Sequence, residues 1–209
     1  ELYRIRLSNR GGEAKSWILK KYKDSSGAPL DLVNQTSSKQ FGFPLSLFTY
    51  DTALRERLSK ALYVPSASGI LAAPGKLTFT FAQGGLNVTK SFSFDSSYVL
   101  HADVAVTSNG APVPTLLSWP SGLGDEENLP AYASEQFVTT RNGKTELEQP
   151  KKISGGATLY GPFDWAGISD LYFAAIFLPE DPSKADVVSI HNSITLPRDP
   201  KNPDPAKSD

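Results

Sequence analysis

The chain has 209 residues, with 21 Lys and Arg against 22 Asp and Glu, and neither Cys nor Met. A net charge of −1 excludes the broad cationic field of nucleic-acid binders, and zero Cys excludes disulfides, thiolate metal sites and Cys nucleophiles. An apolar content of 39% is that of a globular chain, and the apolar stretch Tyr172–Leu178 falls far short of the roughly 18 residues that span a bilayer.

At roughly 100–200 residues per domain, this is one large domain or two small ones. With no Met at position 1, the sequence reads as a domain excised from something longer.

Period-two patterning dominates and marks a β protein. Tyr3, Ile5 and Leu7 alternate with Arg4 and Arg6, which predicts a strand with one wet face. Asn9-Arg10-Gly11-Gly12 turns the chain, because glycine takes the positive φ that a tight reversal requires, and a second strand runs through Trp17, Leu19 and Tyr22. Its end, Lys20-Lys21-Tyr22-Lys23, keeps a sheet edge from pairing, in preference to touching anionic lipid headgroups. Asp51–Tyr63 breaks the pattern. Leu54, Leu58, Ala61 and Leu62 recur at three and four, with Asp51 or Thr52 as cap, and predict a short amphipathic helix.

From Lys76 the alternation is strong. Leu77, Phe79 and Phe81 share a face, Gly84-Gly85 turns, Leu86, Val88, Phe92 and Phe94 line the return, and Leu100, Ala102, Val104 and Val106 complete a meander. Asn142-Gly143 within Gln136–Glu148 is the type I′ hairpin signal. Further strands are predicted at Ala157–Tyr160, Tyr172–Leu178 and Val187–Leu196, and so many strands favour one large sandwich over two cores. The tail Pro197–Asp209 holds four prolines and almost nothing apolar, and reads as a linker.

Catalytic signatures are sparse. His101 and His191 stand alone, which argues against a metal site. Ser121 lies in no nucleophile elbow, and Gly122-Leu123-Gly124 and Gly155-Gly156 lack the strand, helix and Lys of a phosphate cradle. Asp125-Glu126-Glu127, in the loop Trp119–Pro130, reads as a solvated acidic run, since general acid and base work needs two carboxyls converging on a substrate. Asn34 and Asn87 each match the glycosylation tripeptide, a pattern common by chance. No metal and no cofactor is expected.

Two motifs carry a resemblance. Leu7-Ser8-Asn9-Arg10-Gly11-Gly12, followed by a Trp-Ile-Leu-Lys-Lys-Tyr strand, resembles the opening of the large periplasmic (P1) domain of YidC/OxaA-type membrane protein insertases. The stretch Trp165–Ala175, closing at Phe177-Leu178-Pro179, is similar to that domain's Trp-x(6)-Tyr-Phe segment. The resemblance implies an all-β fold, a β-supersandwich of two large packed antiparallel sheets akin to mutarotase and sugar-binding folds, with one or two short helices. It implies a single periplasmic domain over residues 1–196 and a Pro-rich linker, 197–209, leading towards a transmembrane region outside this sequence.

The function it implies is non-catalytic. The domain would support insertion and folding of inner-membrane proteins near the membrane surface, through contacts with the Sec accessory subunits SecD and SecF and with nascent membrane proteins. Trp119, Leu123 and Leu129, apolar groups in a Gly- and Pro-bounded loop, are the expected partner anchors, whereas Asn9, Arg10, Gly11, Gly12, Trp165, Tyr172 and Phe173 are expected to be structural. Two rival readings are a carbohydrate-binding or mutarotase-like sandwich protein and a periplasmic peptide-binding chaperone.

Overall fold

The computed structural model describes residues 2–24, 26–124, 135–153 and 156–194. In chain order these form β1 (Tyr3–Ser8), β2 (Glu13–Lys23), β3 (Pro29–Asp31), helix α1 (Gln35–Phe41), β4 (Ser46–Phe48), helix α2 (Thr52–Lys60) and β5 (Val64–Pro65). The long meander follows as β6 (Gly75–Gln83), β7 (Leu86–Phe94) and β8 (Leu100–Ser108), then β9 (Ala111–Pro112) and β10 (Leu116–Ser118). The last third holds β11 (Gln136–Arg141), β12 (Lys144–Glu148), β13 (Ala157–Tyr160), β14 (Trp165–Ser169), β15 (Ala174–Phe177) and β16 (Asp186–Ser189). Among the described residues every pairing between these strands is antiparallel, consistent with an all-β sandwich class.

The chain forms two compact units. The first, residues 1–33 and 42–120, contains the sheets β1-β2-β3, β10-β4 and β5-β6-β7-β8-β9. Its meander pairs in unbroken register, from Gly75 opposite Phe94 to Gln83 opposite Leu86. Alternation therefore sends Leu77, Phe79, Leu86, Val88 and Phe92 to one buried face, where the Phe79 and Phe92 rings meet edge-on at 6.2 Å. Helix α2 starts where the cap was expected, with the Asp51 carboxylate accepting the Leu54 N–H at 3.0 Å. It buries Leu58 and ends at Lys60, so Ala61 becomes the cap and Leu62 lies exposed beyond the helix.

The second unit, residues 34–41 and 121–209, contains β12-β11-β14-β15 and β13-β16. The β11–β12 hairpin turns at Asn142 and Gly143 with φ of 50° and 72°, the left-handed pair a type I′ turn needs. Helix α1 has no apolar period to announce it. Its cap is Asn34, whose side-chain oxygen accepts the Ser37 N–H at 2.8 Å, and Ser38 donates to the Ser121 hydroxyl at 2.7 Å. Asn34 is buried in this role, which removes it as a glycosylation acceptor.

Candidate functional site

The Asn9–Gly12 turn is stitched to the segment after α2. The Tyr63 N–H donates to the Asn9 carbonyl at 2.8 Å, the Gly11 N–H donates to the Ala61 carbonyl at 2.9 Å, and Arg10 makes an antiparallel bridge with Leu62. Gly11 and Gly12 sit at φ of 70° and 58°. Both carbonyls then point inward to one cation: Lys90 Nζ donates to Gly11 O at 3.0 Å, to Gly12 O at 2.7 Å and to Leu45 O at 2.6 Å. Leu45 also has a positive φ, 65°, unusual for a side chain branched beyond Cβ. Three left-handed backbone positions therefore converge on a single ammonium.

Lys90 is 0% exposed and lies on β7 between Val88 and Phe92, on the core parity of the strand. The Phe92 and Tyr63 rings stand 5.7 Å and 6.0 Å from its nitrogen. Burial pushes its pKa down to about 7, against the pull of the Glu13 carboxylate. The three carbonyl acceptors also favour the charged form, because an ammonium offers three N–H donors and a neutral amine two. Burial, with Glu13 second, raises the Tyr63 phenol far above its usual range, and its hydroxyl donates to Leu58 O at 3.3 Å. Glu13 is itself buried and pairs with Lys15 at 2.9 Å. With every donor occupied and no accessible surface, the Lys90 amine holds three segments together and offers nothing to a substrate. Reading the sequence passed over it. The signal was there in the parity, since Leu86, Val88, Lys90 and Phe92 alternate without a break.

The other motif residues lie in the β14–β15 hairpin. Trp165 pairs with Thr140 of β11 and is half-buried. Gly167 lies opposite Ile176, and a Cβ there would stand 2.1 Å from the Ala175 carbonyl oxygen, so only glycine lets β15 close on β14. The turn is held by Asp170, whose Oδ1 accepts the N–H groups of Tyr172 at 2.6 Å and Phe173 at 2.7 Å. Phe173 is half-buried, whereas Leu171 and Tyr172 are 66% and 70% exposed. Tyr172 thus sits at a hairpin tip rather than at the start of the predicted strand, which begins at Ala174.

Of the expected partner anchors, Trp119 is half-buried with its ring 5.7 Å from Trp17. Leu123 has no accessible surface and offers no anchor in this structure. Leu129 and the acidic run Asp125-Glu126-Glu127 lie outside the described residues. His101 and His191 are both exposed, and among the described residues no three His, Cys, Asp or Glu side chains cluster as a metal site would need. No helix of the described residues is long and apolar enough to cross a membrane. An open groove of about 860 Å³ lies on the first unit, lined among others by Arg57, Lys60, Leu62, Val64, Phe81 and Val88.

The family model described as the YidC periplasmic domain matches residues 1–195. The chain is 26% identical over 203 residues to the membrane protein insertase YidC of Geobacter sulfurreducens, covering 88% of this chain and 36% of that protein. It is 27% identical over 196 residues to the insertase YidC of Chlorobaculum parvum, covering 86% and 32%. With that of Pelobacter propionicus it shares 26% identity over 209 residues, covering 89% and 36%. The chain thus spans about a third of the length of these curated relatives.

Proposed function

Because the chain belongs to the YidC periplasmic domain family, and so is a periplasmic domain of a bacterial inner-membrane insertase, we propose that it works as a non-catalytic interaction domain. In this reading it supports insertion and folding of inner-membrane proteins by docking on SecD or SecF and on membrane-protein clients. Residues 1–196 act as one domain, and 197–209 lead towards the membrane-embedded part. The match over residues 1–195 to a domain of insertases carries the proposal. The chemistry agrees with it. The buried Lys90 amine is sealed by backbone carbonyls, and large apolar side chains stand exposed at Leu62, Val64, Leu171 and Tyr172.

The test uses the full-length insertase in its native membrane, with a photoreactive phenylalanine analogue at position 119. Adducts with SecD, SecF or a nascent client are expected. Normal insertion with no adduct at this site, and none from Tyr172, would overturn the reading. A peptide-holding chaperone role is the second reading, favoured by the exposed Leu62 and Val64 in the groove. It predicts that Leu62→Asp abolishes suppression of client aggregation by the insertase.

A further inference from the structure

One end of the first unit combines exposed apolar side chains with lysines. The Gly75–Phe94 pair closes the meander there, so the β5–β6 loop, residues 66–74, and the β7–β8 turn, residues 95–99, leave from the same end. The β5–β6 loop holds no charged residue, and at its tip Ile70 is 100% exposed, with Leu71 exposed beside it. Tyr98 and Val99 of the β7–β8 turn are exposed as well.

The start of β1 reaches the same end. The Tyr3 ring stands 6.4 Å from the Tyr98 ring, and the Lys20 N–H donates to the Leu2 carbonyl at 3.0 Å. From there β2 runs on through Lys21, Tyr22 and Lys23, all exposed. β2 is the middle strand of its sheet, with Lys23 opposite Pro29 of β3, so edge protection does not by itself account for these lysines. Lys76, the second residue of β6, is exposed too. Among the described residues no ion pair reaches Lys21, Lys23 or Lys76. The carboxylates of these turns, Asp24 and Asp95, are each folded onto their own loop, accepting the Ala28 N–H at 3.0 Å and the Ser97 N–H at 2.7 Å.

We infer that this end of the first unit lies against an anionic bilayer surface, with Ile70 and Leu71 entering the boundary between headgroups and acyl chains and Lys21, Lys23 and Lys76 among the headgroups. Membership of a family of inner-membrane insertase domains puts a bilayer within reach, and the contact stands whether or not the domain docks on Sec subunits or clients. An uncharged apolar tip leaves water when it enters the boundary. Each lysine keeps its ammonium among the phosphates while its stem lies along apolar surface, and tyrosine, apolar at one end and polar at the other, suits the depth between. An acidic protein surface would match the lysines but not the Ile-Leu tip. A second copy of this chain in a two-fold pairing would set the lysines against one another.

The test uses the full-length insertase, with any other cysteine replaced, in vesicles of phosphatidylcholine containing about 30% phosphatidylglycerol or of phosphatidylcholine alone. Ile70→Cys carries a fluorophore whose depth is read by quenching from lipids spin-labelled near the top of the acyl chain. Ala111→Cys, exposed at the far end of the meander, is the comparison. In the anionic vesicles quenching at position 70 should exceed that at 111 by about threefold or more, and it should fall about twofold or more in phosphatidylcholine alone and with Lys21→Glu and Lys23→Glu combined. Leu71→Asp, which leaves the lysines in place, should lower it as well. All these side chains are exposed, so the variants keep the fold, which an unchanged circular dichroism spectrum checks. Equal quenching at positions 70 and 111 in the anionic vesicles overturns the inference. Quenching at position 70 that is indifferent both to lipid charge and to the lysine substitutions overturns it too.

Discussion

Lys90 Nζ donates to the Gly12 carbonyl at 2.7 Å across 78 residues of sequence, and this bond joins the opening turn of the chain to the centre of the long meander. It explains why two consecutive glycines stand in the turn. Their positive φ aims both carbonyls inward, and the ammonium compensates them where water cannot reach.

Replacing Lys90 with Met keeps the apolar length and removes the donors. The carbonyls of Gly11, Gly12 and Leu45 then lose that partner in the core, at about 1–3 kcal/mol for each that stays unsatisfied, partly offset because a buried cation no longer has to be desolvated. A net loss of about 2–5 kcal/mol is expected in urea denaturation. A midpoint equal to that of the unsubstituted protein would contradict the role given to Lys90.

The same residue sets a pH dependence. The folded state holds Lys90 near pKa about 7, below its ordinary 10.5, so between these values the unfolded chain binds the proton and the folded chain does not. Stability therefore rises with pH across this window, by up to about 1.4 kcal/mol per unit, and is flat below it. Above pH about 10 the trend reverses, because burial keeps the Tyr63 phenol protonated in the fold while the unfolded chain ionises. Denaturant titrations at pH 6 to 10 should show the rise, and Lys90→Met should abolish it.

Gly12 and Gly110 separate backbone strain from contact. Both have a positive φ, 58° and 83°, but a Cβ on Gly110 meets nothing within 4 Å, while one on Gly12 comes within 3.3 Å of Lys90 Cδ. Gly110→Ala should cost about 1 kcal/mol, the penalty of the left-handed region alone. Gly12→Ala should cost clearly more by thermal unfolding, because the buried Lys90 chain must give by a few tenths of an ångström while its nitrogen is held by three carbonyls. Equal losses would mean that the lysine gives way freely.

Gly167→Ala tests the β14–β15 closure. The new Cβ would stand 2.1 Å from a backbone oxygen, which no rotamer change can relieve. The hairpin must separate, with a loss of more than about 3 kcal/mol and rapid hydrogen exchange at Ala175 and Phe177. Gly143→Ala, where a Cβ meets nothing within 4 Å, is the mild comparison at about 1 kcal/mol.

Much of the fold is legible locally. Alternation over Leu77–Phe81 and Leu86–Phe94 specifies the meander, because side chains on a strand repeat every two residues and one face must leave water. Asn142-Gly143 and Asp51 act through their own backbone neighbours, so the hairpin and the start of α2 follow from the residues themselves. The end of α2 did not, since apolar spacing continues to Leu62 while the chain leaves the helix at Ala61 to meet the Asn9–Gly12 turn.

The candidate sites depended on long-range placement. Nothing near Lys90 in sequence indicates that carbonyls from residues 11, 12 and 45 will enclose it, and a lysine at a buried parity acquires meaning only when those segments arrive. Leu123 reads as an exposed loop residue, yet tertiary packing removes all its surface, while Tyr172 reads as a strand residue and is carried to a hairpin tip. The sequence by itself determined the β class, the main strand pairs and the family motifs, because these rest on periodicity and turn chemistry within a few residues. Only the tertiary structure decided which polar group is sealed in the core and which apolar side chains stand exposed, because burial is fixed by segments far apart in the chain.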